Sequence, residues 1–92
     1  MDSVIQKNRE CLVCRDTRNL HTHHVFYGTA NRVNSERYGM KVFLCYRHHN
    51  GSDAGVHFNK VLDKRIKEMA QTKFEETHTR EEFRAIFGKS WL

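Results

Sequence analysis

Leu44-Cys45-Tyr46-Arg47-His48-His49 is the stretch on which the reading of this chain turns, and it has an upstream counterpart in Cys11-Leu12-Val13-Cys14. Cys11 and Cys14 form a C-x-x-C pair, whose turn brings two thiolates to one point. Cys45 and His48 form a C-x-x-H pair. Together they supply the four soft or borderline donors of a closed, tetrahedral, structural zinc site. His49 or an upstream histidine is the alternative fourth ligand. The gap between the pairs is too long for the compact finger, which keeps about 12 residues between its pairs. It suits a treble clef: a zinc knuckle, a hairpin, then a ligand pair at the start of a helix. A redox C-x-x-C is disfavoured because no βαβ pattern surrounds it.

Size makes a metal staple useful. A chain of 92 residues allows one domain, and so small a core leaves little margin over chain entropy. Three cysteines cannot all pair with one another, which argues against a disulfide framework. There is no secretory apolar region and no run near the roughly 20 apolar residues of a membrane helix. A reducing, intracellular setting follows as the expectation, with clustered Cys and His acting as metal ligands. The net charge of +5 and pI of about 9.4 suit a polyanionic partner, nucleic acid first among them.

The hydrophobic pattern divides the chain. Residues 1–10 read as a polar lead-in, 11–59 as the core and 60–92 as C-terminal helices. Cys11–Cys14 and Leu20–Tyr27 read as short β-type runs parted by a polar turn. Gly28–Gly39, polar and bounded by glycine, reads as a loop, and Lys41–Cys45 as another strand. Phe58, Leu62, Ile66, Met69, Ala70 and Phe74 then recur at helical spacing, with Asn59 as a candidate cap. Thr79-Arg80-Glu81-Glu82 is a capping-box pattern opening a short helix with Phe83, Ile86 and Phe87 on one face and Gly88 at its end. These apolar positions read as core. The fold class expected is α+β: a zinc-bound treble clef with a ββα-metal core and additional C-terminal helices.

Five of the seven histidines fall in two short runs. His21, His23 and His24 share one strand-like run; His48 and His49 share the other; His57 follows. Neighbouring strand residues face opposite ways, so His23 and His24 need not share a task. The order C-x-x-C, His23-His24-Val25, Leu44-Cys45-x-x-His48-His49 and His57 resembles the HNH endonuclease family with a zinc-binding treble clef. The stretch from Cys11 to Asn59 carries the resemblance, and the whole chain is similar to small HNH-like proteins of bacteriophages and their hosts.

The resemblance implies a metal-dependent endonuclease that hydrolyses DNA phosphodiester bonds by nicking or double-strand cleavage. His24 would be the general base and His23, His49 and His57 the ligands of a catalytic divalent metal, Mg²⁺, Mn²⁺, Ni²⁺ or Zn²⁺. An imidazole shell favours Zn²⁺, Ni²⁺, Co²⁺ or Mn²⁺ over Mg²⁺; Asp53 would add an oxygen ligand. His21 would be an orienting neighbour or an ordinary strand residue, and His78 structural. Arg32, Arg37, Lys41 and Arg47 are the candidates for phosphate contacts, with Tyr27, Phe26 and Trp91 read as packing rather than base-stacking. The expected partner is DNA, with no membrane involved. A homodimer or a larger phage protein is left open, in the cytoplasm of a bacterial host. One residue departs from the pattern: Met40 stands where the family carries an asparagine that holds the metal loop, with Asn31 and Asn34 as the nearby substitutes. A non-catalytic zinc module that binds nucleic acid or protein is the alternative reading.

Overall fold

The computed structural model describes residues 1–51 and 54–92; Asp53 lies outside them. Among the described residues the chain is a small α+β unit. It runs β1 (Leu20–His24), α1 (Thr29–Tyr38), β2 (Lys41–Cys45), α2 (Tyr46–Asn50), α3 (Lys60–Phe74) and α4 (Arg80–Phe87). The two strands pair antiparallel, with Leu20 opposite Cys45, His21 opposite Leu44, His23 opposite Val42 and His24 opposite Lys41. No helix among the described residues is long and apolar enough to cross a membrane.

The sequence expectations are corrected at several places. The second β-type run ends at His24, so Val25–Tyr27 lie outside β1 and turn toward α1. Cys11–Cys14 is a turn rather than a β-type run: Arg15 N–H donates to the Cys11 carbonyl, and Arg15 itself takes a positive φ of 67°. Gly28–Gly39 is not a loop but brackets α1. Gly39 ends that helix in the left-handed region at φ 70°. The helix has no side-chain cap and no acidic residue in its first turn, and Ser35 is its one buried residue, so it carries no apolar stripe for a periodicity argument to find. Tertiary bonds hold it instead. Asn31 and Asn34 donate to the carbonyls of Phe87 and Ile86 at the end of α4, at 3.2 and 2.9 Å. Ser35 Oγ accepts from Phe26 N–H and donates to Phe26 C=O.

The C-terminal helices follow the sequence closely. Asn59 Oδ1 accepts from Leu62 N–H and caps α3. Thr79 and Glu82 form a complete capping box on α4, and Gly88 closes it at φ 90°. Ile66, Ala70 and Phe74 of α3 meet Phe83 and Phe87 of α4 in the core; Phe58 and Met69, expected there, are instead exposed, Phe58 because it precedes the Asn59 cap and lies outside the helix. Phe26, Phe74, Phe83 and Phe87 form an aromatic cluster with ring centroids 4.7–5.9 Å apart, each pair contributing about 0.5–1.5 kcal/mol beyond its burial. Trp91 is half-buried under the ammonium groups of Lys67 and Lys89. Phe26, two residues past β1, belongs to the aromatic cluster and ties the end of that strand to α4.

Candidate metal centres

The first cluster is built by a turn and a helix. Leu12 N–H bonds to Phe43 C=O at 2.9 Å, docking the Cys11–Cys14 turn on β2. Cys45 ends β2 and caps α2, so His48, three residues on, lies one helical turn away on the same face. Cys11, Cys14, Cys45 and His48 present donor atoms that all lie within 4.8 Å of one another.

Tetrahedral geometry can be checked edge by edge. With Zn–S of about 2.3 Å and Zn–N of about 2.0 Å, a tetrahedron has S···S edges of about 3.8 Å and S···N edges of about 3.5 Å. Cys14 Sγ lies 3.8 Å from Cys45 Sγ, and His48 Nδ1 lies 3.6 Å from Cys11 Sγ and 3.2 Å from Cys45 Sγ. The sulfurs are too far apart for a disulfide of about 2.05 Å, and all three cysteines are free. Burial raises the Cys11 pKa, but the backbone N–H groups of Cys14, Cys45 and Val13 outweigh it and bring the thiol down to about 6. It is thereby poised as the thiolate a metal requires. This donor set fits a metal ion.

The second cluster begins at the next residue. His23, His49 and His57 bring one nitrogen each to within 4.8 Å of the others; the rings of His49 and His57 stand 4.7 Å apart and each lies 5.3 Å from that of His23. His57 returns to the site because the chain doubles back after α2: Val56 N–H bonds to His48 C=O and His57 N–H to His49 C=O. Gly55 sits where that return is tightest. A Cβ there would meet Gly51 O at 2.6 Å and Gly51 N at 2.7 Å.

His23 is 3 % exposed, and its Nε2 is the one buried side-chain nitrogen or oxygen without a hydrogen-bond partner among the described residues. Leaving such an atom unsatisfied costs about 1–3 kcal/mol, so a buried, unpartnered imidazole beside the rings of His49 and His57 fits a ligand. Burial first, then the neighbouring charges of His49, His57, His24 and Lys67, push the His23 pKa down to about 3. Burial, then His57 and His21, push that of His49 down to about 4. Both rings are therefore neutral near pH 7, the form that binds a metal. His23, His49 and His57 could thus hold a metal ion through three imidazole nitrogens.

The remaining candidates divide. His24, the last residue of β1, is not with the three rings. Its Nε2 lies 3.5 Å from Glu36 Oε2, which Lys41 Nζ also engages at 2.6 Å. His24 lines a cleft of about 590 Å³ with Arg32, Glu36 and Arg37, so Arg32, Arg37 and, through Glu36, Lys41 gather around it. Arg47 is exposed on α2 and lines neither that cleft nor the one beyond Lys41. Phe26 is core, whereas Tyr27 is 47 % exposed, its ring 6.0 Å from that of His57. His78 stacks on Phe74 at 4.2 Å. Met40 is buried core. Asn31 and Asn34 spend their side-chain amides on carbonyls at the end of α4.

Sequence reasoning left two contributors without a role. Ser35 clamps the turn leaving β1; no motif announces a lone buried serine in a polar segment. Lys67 is buried between the rings of Tyr27 and Trp91, 4.4 Å from each, and pairs with Asp63 at 2.8 Å. Its place in the sequence, four residues after Asp63, was the available signal.

No protein-family profile, curated protein or solved structure matches this chain.

Proposed function

We propose that the chain is a zinc-stapled treble-clef domain of the ββα-metal type and a divalent-metal-dependent DNA endonuclease. The observation that carries the reading is the pair of adjacent but chemically distinct donor clusters. One has four donors with sulfur-rich, tetrahedral spacing; the other has three neutral imidazoles, one of them buried with an unpartnered nitrogen. A structural metal alone would account for the first cluster and leave the second unexplained.

In this reading Cys11, Cys14, Cys45 and His48 hold zinc, and His23, His49 and His57 hold the second cation. When bound, that cation supplies electrostatic stabilisation to the phosphate and to the departing oxygen. His24, across β1 from His23, accepts the proton of the attacking water. Glu36 orients the His24 ring, and Arg32 and Arg37 bind phosphates flanking the bond that breaks. Phosphodiester hydrolysis then consumes one water and leaves a phosphate monoester and a hydroxyl end.

The test is plasmid nicking by zinc-loaded protein with Mg²⁺, Mn²⁺, Ni²⁺ or EDTA, alongside His24→Ala and His23→Ala. Metal-dependent nicking lost in both variants, with folded structure and zinc retained, is the expected result. Absence of nicking with every metal overturns the nuclease reading. It would favour the non-catalytic nucleic-acid- or protein-binding zinc module, for which Met40 in place of the asparagine is the specific observation.

A further inference from the structure

The face of the sheet that carries His24 and Lys41 extends past that pair into a region to which the proposed chemistry assigns no role. Thr22 and Phe43, a cross-strand pair, lie on the side away from His21 and His23, and the lead-in residues 1–10 run beside them. Gln6 Oε1 accepts from Phe43 N–H at 2.7 Å, and Ser3 Oγ donates to Lys41 C=O. The lead-in is therefore pinned to β2 as a wall, and between wall and sheet opens a cleft of about 560 Å³. Lys7, Arg9, Thr22 and Lys41 line it, with Asp2 as its one carboxylate.

Three observations give this cleft a ligand class. Arg9 Cζ lies 5.0 Å from the centroid of the Phe43 ring, a cation–π contact that keeps the guanidinium beside the sheet. Neither Lys7 nor Arg9 forms an ion pair with a carboxylate among the described residues, whereas Arg15 pairs with Glu10 and Arg18 with Asp16. Finally, this cleft reaches Lys41 and the neighbouring one reaches His24, and those two residues are cross-strand partners. Arg32 and Arg37, which form no ion pair among the described residues, thus stand on one side of the His24–Lys41 pair, and Lys7 and Arg9 on the other.

We propose that the lead-in cleft is a second contact site for the phosphodiester backbone of DNA, with Lys7 and Arg9 as its phosphate ligands and Thr22 as a hydroxyl donor on its floor. The proposal rests on the nucleic-acid reading above and extends it: a strand passing the His24–Lys41 pair is gripped on both sides. The lead-in, read in the sequence as a polar preface, is then part of the binding surface.

Binding and cleavage separate the two readings. Fluorescence anisotropy of a labelled DNA duplex, with zinc-loaded protein and no second divalent metal, reads the cleft without requiring catalysis. Lys7→Ala/Arg9→Ala is compared with Arg15→Ala/Arg18→Ala, which removes the same formal charge from the zinc knuckle. Expected is at least a tenfold loss for the first pair, with the slope of log affinity on log salt shallower by about 2, and less than a threefold change for the second. Because Arg9 packs on Phe43, Lys7→Glu is measured too; Lys7 is exposed and forms no hydrogen bond among the described residues, and a loss of at least fivefold is expected. Wild-type affinity in the Lys7 and Arg9 variants, equal losses in both double variants, or no duplex binding by the parent protein would each overturn the proposal. Equal binding of a heparin fragment with the same losses would overturn its assignment to a phosphodiester backbone. Absence of nicking with intact, Lys7- and Arg9-dependent binding would instead remove the nuclease reading and leave this site standing.

Discussion

His21 Nδ1 lies 2.8 Å from His49 Nδ1, while the other nitrogen of the same His49 ring faces His57 Nε2 at 3.1 Å. One imidazole is thus held from behind by a strand residue and offers its front to the three-histidine cluster. Such backing partners fix the tautomer and orientation of a metal-binding histidine, and losing one lowers metal affinity about 10–100-fold. His21→Phe should weaken Ni²⁺ or Co²⁺ binding at His23, His49 and His57 by that factor and leave the zinc stoichiometry unchanged. Titration with Co²⁺, followed by its visible absorption, measures it.

Removing a thiolate should have the opposite division of effects. Apparent binding energies of structural zinc reach about 10–16 kcal/mol in small domains, against about 5–15 kcal/mol of total stability for ordinary folded proteins. Cys11→Ser or Cys45→Ser should therefore lose zinc and the cooperative thermal transition together. Metal analysis paired with circular dichroism checks both.

The acid response follows from His23 and His49, held at about 3 and about 4 in the fold against about 6.5 in the unfolded chain. The unfolded state binds these protons first, so their contribution to stability is intact above pH ~6.5 and lost as pH falls from there toward ~3. Denaturant midpoints of the zinc-loaded protein should fall across that window, and His23→Gln should flatten the decline. In the folded protein the two rings are already deprotonated at pH 5–7, a range set by about 3 and about 4 as their pKa values. At pH 5, binding of the second metal should therefore draw no proton from His23 or His49, where ordinary imidazoles of pKa about 6.5 would each give up nearly one. Calorimetry in two buffers of different ionisation enthalpy counts the protons released.

Ser35 is fully buried and its hydroxyl bonds both the N–H and the C=O of Phe26. Ser35→Ala leaves that backbone N–H unsatisfied and should cost about 1–3 kcal/mol, read by chemical denaturation. Because Phe26 lies just past His24, nicking should fall by more than the loss of folded protein accounts for.

Gly55→Ala tests the return of His57. Its Cβ would collide with backbone atoms of Gly51 rather than with a movable side chain. The second metal should bind at least tenfold more weakly, while zinc and the α3–α4 core persist; an unchanged Co²⁺ titration would show that His57 reaches the site by another path.

How far the sequence could be read depended on whether a feature is local. The Asn59 cap, the Thr79–Glu82 box and the Gly88 terminus are written within single turns, and their helices were predicted at these positions. The donors Cys11, Cys14, Cys45 and His48 were legible because ligand spacing is a short-range code, as was the opposite facing of His23 and His24. Helix α1 was misread because its stability lies elsewhere: Asn31 and Asn34 spend their amides on α4, more than 50 residues away. Cys11–Cys14 was misread because β-type residues there serve a turn whose shape is imposed by the Asp16 and Phe43 carbonyls. His21 could be named but not assigned, since its meaning depends on a ring 28 residues downstream.

His48 and His49 are consecutive residues of a five-residue helix, yet they serve different clusters. So short a helix has almost no stability of its own, and what fixes His49 in space is the anchoring of its neighbour. On the proposed reading the two centres would fill in sequence: the sulfur-rich one would act as a clasp that must shut before the three imidazoles share a common focus. A second ion would then exchange from a scaffold already set, whereas withdrawing the first would scatter both. Mild chelation should strip activity reversibly, and harsh chelation should strip it together with the fold.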